Sequence, residues 1–352
     1  MSRKGIGFGI ALVAASVLLT GCQPAPEAEP TADADAGCVR MVTNSGGLED
    51  RSFNQSSWEG LQQAEDELGV EAEAIVSTGE TDLAPNVEQA VDSGCGLIVT
   101  VGWELADPTL AQAEANPEVA FAIVDESVDA PNVKPVVFDT AQASFLAGYL
   151  AAGVTKTGVV ATFGGGNQPP VTLFMDGFVD GVAKYNAVHG TDVLALGWNK
   201  GTQDGAFTGD FEDVNKGKTL TAGIIDQGAD VILPVAGQVG EGAAAAALEH
   251  GDVSIVWVDS DGYETLPAQY RPVILTSVLK NTQDAMVQIV GDVQDDAFTN
   301  EPYVGTLENA GVEIAPYHDL ASLVSPELDG EIEGLRQAII AGDVVVDSPS
   351  AP

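Results

Sequence analysis

Val42-Thr43-Asn44-Ser45-Gly46-Gly47 and, further along, Ala161-Thr162-Phe163-Gly164-Gly165-Gly166 are two versions of one device: an apolar strand running into a glycine-rich turn ahead of a helical pattern. Two such units in tandem predict two Rossmann-like lobes with a cleft between them. Working outward, short β-branched runs at 39–43, 70–76, 97–101, 120–124, 133–138, 158–163, 192–196, 231–234, 253–258 and 273–277 are candidate strands. Stretches between them, at 55–68, 87–93, 144–154, 172–186, 217–227, 240–249 and 285–293, carry apolar residues at helical spacing. Continuous apolar strands alternating with helices predict parallel sheets covered on both faces, with any ligand at the carboxyl ends of the strands. Neither glycine cluster has the Gly-x-Gly-x-x-Gly pattern, and no Gly-x-x-x-x-Gly-Lys-Ser/Thr loop exists, so NAD and ATP sites find no support. Turn geometry explains most of these glycines.

Met1-Ser2-Arg3-Lys4 and the apolar run from Ile6 to Leu19 form a basic head on a stretch too short and too rich in Gly and Ala to span a bilayer, as in a secretory signal. It ends in Leu19-Thr20-Gly21-Cys22, which resembles the lipobox; an ordinary signal peptide with a chance cysteine is the alternative. Residues 1–21 are expected to be signal peptide, Cys22 the lipidated N-terminus, and 22–37, rich in Pro, Ala and acid, a disordered spacer. The chain beyond the spacer is longer than one core usually organises, and 45% hydrophobic residues with 40 glycines favour a two-lobed α/β protein. A formal charge of −40 repels nucleic acid and anionic lipid, so neither is an expected partner; a solvated acidic shell accounts for most of the carboxylates. In an oxidising compartment Cys38 and Cys95, each opening an apolar strand, are expected to pair across neighbouring strands; two buried thiols are the alternative.

His189, His250 and His318 have no metal-ligand spacing, and there is no Gly-x-Ser-x-Gly elbow or Cys-x-x-Cys. Asp259-Ser260-Asp261-Gly262 opens like a calcium loop, but its run of oxygen ligands stops there. No metal, cofactor or catalytic set is expected; the profile is that of a binder, not an enzyme.

Residues 46–61, Gly-Gly-Leu-Glu-Asp-Arg-Ser-Phe-Asn-Gln-Ser-Ser-Trp-Glu-Gly-Leu, resemble the basic membrane protein (BMP) family of ABC-transporter substrate-binding lipoproteins, similar to purine nucleoside receptors. Matching blocks succeed it in order at 122–125, 143–148, 209–213 with 216–218, 228–232 with 236–237, 258–261 and 275–281. The resemblance covers nearly the whole mature chain. It implies a type I periplasmic-binding-protein fold, two lobes joined by three crossovers, expected near Asp139, Asp259 and Gly305. Lobe 1 would then be 38–139 plus 260–304, lobe 2 would be 140–259 plus 305–346, and 347–352 a tail.

Carried over residue by residue, it puts Phe53 and Phe211 on opposite sides of a flat base, with Phe207 the rival to Phe211 because a polar insert, 199–207, departs from the family pattern. Asp125 would bond base nitrogens, Asp259 would accept from both ribose hydroxyls, Lys280 would donate to the ribose and hold Asp259 ionised, and Gly237 would let backbone approach the sugar. Asp50 and Asn54 would share the base contact or cap the helix near Gln55. Trp103 would border the ligand or pack. The function implied is capture of a nucleoside, purine favoured, by a monomer tethered outside the cell membrane, and its delivery to an ABC permease with its ATPase. The alternatives are the same fold holding a sugar or signalling molecule, and a surface sensor without a transport role.

Overall fold

A computed structural model describes residues 35–352. The expected signal peptide and Cys22 lie outside the described residues. In chain order the first half contains β1 (Asp35–Thr43), α1 (Phe53–Leu68), β2 (Glu71–Ile75), α2 (Glu80–Asp92), β3 (Cys95–Val101), α3 (Ala106–Ala115), β4 (Ala120–Val124) and β5 (Val133–Phe138). Then come α4 (Thr140–Val154), β6 (Val159–Gly164), α5 (Pro169–His189), β7 (Leu194–Leu196), a ribbon of β8 (Trp198–Asn199) and β9 (Asp204–Gly205), and α6 (Val214–Ile225). The chain continues through β10 (Val231–Val235), α7 (Gly240–His250), β11 (Ser254–Asp259), α8 (Gly262–Thr265), β12 (Ile274–Lys280), α9 (Thr282–Gln294), β13 (Tyr303–Gly305), β14 (Val312–Ile314) and α10 (Pro326–Ile340).

Two six-stranded sheets result, ordered β13-β5-β4-β3-β1-β2 and β14-β12-β11-β10-β6-β7. Every pair in them is parallel except β12 with β14. In each sheet the first strand, β1 or β6, has its successor on one side and the third strand on the other, so the order reverses at the same place. That reversal leaves a crevice between β1 and β3 in lobe 1 and between β6 and β10 in lobe 2. α4, buried on nearly every side, packs tightly on α5: a Cβ at Gly148 would lie 2.0 Å from the Phe178 carbonyl oxygen.

The lobe boundaries expected from sequence need correction. Ile274–Lys280 pairs with β11 in lobe 2, so the chain leaves that lobe at Asn281, not near Asp259. The other crossings lie at Asp139 and between β13 and β14, and the three run side by side: Asp139 N–H donates to Gly305 O (2.8 Å) and Asn281 N–H to Gly311 O (2.8 Å). Gly305 and Gly311 allow this approach, since a Cβ on either would lie 2.3 Å from its neighbour. The spacer also ends earlier than expected, because Asp35 already pairs beside Cys95. Nor is 347–352 a free tail: Ser348 is buried against α5, donating to Asp176 (2.7 Å). Cys38 and Cys95 form a disulfide across adjacent β1 and β3.

Candidate functional site

Both crevices open into one cleft, lined from lobe 1 by Asn44 after β1, Trp103 and Glu104 after β3 and Asp125 after β4. From lobe 2 come Ala236 and Gly237 after β10, Asp259 at the end of β11 and Lys280 at the end of β12. Each side chain sits where a parallel strand stops, so the topology that buries the strands also aims these residues inward. All eight residues singled out for ligand contact, Asp50, Phe53, Asn54, Asp125, Phe211, Gly237, Asp259 and Lys280, line this cavity.

Lys280 is the pivot of its electrostatics. Its Nζ is 2.6 Å from Asp125 Oδ2 in lobe 1 and 3.5 Å from Asp259 Oδ1 in its own lobe. Burial works against the ammonium, but the two carboxylates outweigh it and hold its pKa above the ordinary lysine value. The rings of Phe53, Phe174 and Phe138 lie 4.9, 5.5 and 5.7 Å from Nζ, adding cation–π attraction. Asp125 and Asp259 occupy corresponding strand ends, and both have left-handed backbone, φ 65° and 64°. Such non-glycine conformations cost of order 1–3 kcal/mol and persist where the surroundings impose them.

Across the cleft, Ser52 Oγ donates to Asp259, while Trp257 Nε1 and Thr265 Oγ1 both donate to the Arg51 carbonyl (3.2 Å each). The loop before α1 thus touches lobe 2. Its conformation is set by Asp50, whose carboxylate accepts from the N–H groups of Ser52 (3.1 Å), Asn54 (2.7 Å) and Gln55 (3.0 Å) and from Asn54 Nδ2 (3.1 Å). With four donors bound, Asp50, two residues ahead of the N-cap Ser52, satisfies N–H groups at the start of α1 and has little left for a ligand. Burial pushes its pKa up to about 6 against the pull of those donors, and Asp259 adds to the rise.

In lobe 2 the glycine-rich turn after β6 seats the aromatics. A Cβ on Gly165 would lie 2.3 Å from the Phe211 ring, so that ring rests on bare backbone. Phe207 instead packs edge-on against Trp198 (centroids 6.0 Å) and does not line the cavity. The insert between them is the β8–β9 ribbon, pinned by the fully buried Asp176, which accepts from Trp198 Nε1 (2.8 Å) and Gln203 Nε2 (3.0 Å). Gly209 N–H then donates to Gly165 O (2.8 Å), locking the loop that carries Phe211.

Sequence reasoning did not single out Asn44, Glu104 or Phe174. Asn44 and Glu104 come just after strands that flank the lobe 1 crevice, a position that the rule for parallel sheets marks; Phe174 sits inside a helical pattern and carried no signal. Trp103, read as either border or packing, is 40% exposed at the cleft rim.

The same two-lobed fold occurs in a solute-binding protein of an ABC transporter system from Aeropyrum pernix K1 (TM-score 0.78, 24% identity, covering 88% of this chain and 92% of that one). One from Conexibacter woesei DSM 14684 gives 0.69 at 21% identity, covering 90% and 99%. The architecture is therefore that of periplasmic-type ABC solute-binding proteins. The family model described as ABC transporter substrate-binding protein PnrA-like matches residues 38–349, and the chain belongs to that family, Bmp. Relatives include the ABC transporter nucleoside-binding protein BmpA of Lactococcus lactis subsp. cremoris, 29% identical over 99% of this chain and 100% of its own. Basic membrane protein B of Borreliella burgdorferi is 30% identical, over 70% of this chain and 71% of its own.

Proposed function

We propose that this substrate-binding protein captures a nucleoside, purine favoured, between its lobes and presents it to an ABC permease, working as a monomer held at the outer face of the cell membrane by lipid on Cys22. The observation that carries this reading is the placing of Phe53 and Phe211, one from each lobe, in the same cavity as the Asp125–Lys280–Asp259 cluster. A flat base between rings from different lobes links binding to closure, and stacking contributes about 1–3 kcal/mol per base. The relative from Lactococcus lactis, itself described as nucleoside-binding, points the same way.

No bond is made or broken. The ligand favours the closed arrangement only by contacts that the open one lacks. Asp259 and Lys280, already desolvated and paired, offer an acceptor and a donor to adjacent ribose hydroxyls. A ligand without those hydroxyls leaves the pair unsatisfied and binds weakly.

The test is thermal unfolding of the secreted chain carrying Cys22→Ser against nucleosides, free bases and sugars. A ligand at about 100 times its dissociation constant stabilises by about 2.7 kcal/mol, a readily measured shift. Stabilisation by ribonucleosides and not by sugars is the expected result. Response to sugars alone, or to nothing once co-purified ligand is removed, would sink the reading.

A further inference from the structure

Two acceptor oxygens of cleft-lining residues have no hydrogen-bond partner among the described residues: Asn54 Oδ1 and Glu104 Oε2. Asn54 is 1% exposed, and its orientation is determined by its neighbours. Its Nδ2 donates to Asn44 Oδ1 (2.7 Å) and Asp50 Oδ2 (3.1 Å), and Asn44 Oδ1 is identified as an acceptor by the Gly46 N–H it also binds (3.2 Å). Turning the Asn54 amide would set its oxygen against two acceptors, so the oxygen is the free atom. Asn44 also neighbours Glu104: a Cβ at Gly102 would meet Glu104 Oε2 at 2.8 Å and Asn44 Nδ2 at 3.1 Å. Both free oxygens therefore belong to one wall of the cleft, built on the ends of β1 and β3 and the start of α1. A buried acceptor without a donor is unfavourable, and a ligand that brings donors relieves it.

Resting on the nucleoside reading, we propose that Glu104 and Asn54 form an acceptor pair that reads the edge of the base and selects a 2-amino-6-oxopurine nucleoside over a 6-aminopurine one. The first class offers neighbouring N1–H and N2–H donors. In the second, N1 is itself an acceptor and would face an acceptor wall. Burial raises the pKa of Glu104 against the pull of the neighbouring Asn44 side chain, so mildly alkaline pH favours its acceptor form.

The experiment is calorimetric titration at pH 8 of the secreted chain carrying Cys22→Ser, and of the same chain with Glu104→Gln, with guanosine, inosine and adenosine. The parent should bind guanosine more tightly than inosine and inosine more tightly than adenosine. Glu104→Gln, which can turn an NH2 to the same place, should lower the guanosine-to-adenosine affinity ratio by about 10-fold to 100-fold. Using the ratio within one preparation removes any effect of partial unfolding. Adenosine binding as tightly as guanosine in the parent, or a ratio unchanged by Glu104→Gln, overturns this inference and leaves the nucleoside reading standing. Failure of all three nucleosides to bind, once co-purified ligand is removed, overturns this inference and the purine preference with it.

Discussion

Replacing Lys280 with Met keeps most of the side-chain volume and removes the charge that, among the described residues, neutralises Asp125 and Asp259. At an effective dielectric constant of about 20, unit charges at the separations observed, 2.6 and 3.5 Å, attract by roughly 6 and 5 kcal/mol before desolvation is counted. Burying the ammonium, which is 4% exposed as a residue, offsets much of that gain. What remains after substitution is two largely buried carboxylates with no counter-charge among the described residues, and breaking a buried pair in this way costs about 3–5 kcal/mol. The pH dependence has a definite sign. Burial already pushes Asp125 upward against the pull of Lys280, so without the lysine its folded pKa rises further above the unfolded value. A carboxyl whose pKa is raised by folding destabilises above that pKa and ceases to do so as pH falls through it. Lys280→Met should therefore lose most stability near pH 8 and less near pH 5. Urea unfolding at both pH values, monitored by the fluorescence of buried Trp257, measures the difference. A deficit below about 1 kcal/mol at pH 8, the scale of an exposed ion pair, or equal deficits at the two pH values, would refute the reasoning.

The Cys38–Cys95 bridge closes a loop with a sequence separation of 57, for which the chain-entropy model gives about 4 kcal/mol; Cys38→Ser with Cys95→Ser should lower the urea midpoint accordingly, and an unchanged midpoint would contradict it. Gly165→Ala places a methyl group where the Phe211 ring rests, so it should weaken ligand binding about 5-fold to 100-fold through lost stacking while shifting the melting temperature little; intact affinity would show that Phe211 does not stack. Asp50, with a folded pKa of about 6 against an ordinary 3.8, binds its proton more tightly when folded, so it makes stability rise as pH falls from 7 toward 4. Asp50→Asn should remove that part of the pH slope, and parallel stability–pH curves for parent and variant would exclude it.

Much of the framework is a local property and could be read locally. A β-branched run such as Ala120–Val124 or Val133–Phe138 is apolar throughout because both its faces are covered, and its boundaries coincide with those expected. β13 and β14, three residues each, are too short for any periodicity to register, and α3 and α10 were not singled out as helices. Phe211 and Phe207 are four residues apart in one loop, and no spacing rule separates them; the Gly165 surface and the Trp198 ring do.

The chain's own order of residues was enough for two α/β lobes, the strand-end residues that line the cleft and the family, because strand patterning and motif blocks are written within short windows. Which lobe holds 274–280 was not, because a strand's sheet is decided by its hydrogen-bonded neighbour, and β11 and β14 lie far from each other in sequence. The Lys280–Asp125 pair spans 155 positions, and the free oxygens of Asn54 and Glu104 become visible only once every nearby donor has been assigned. Charge pairing and hydrogen-bond saturation depend on distances of a few ångströms between segments, and only the folded chain sets those distances.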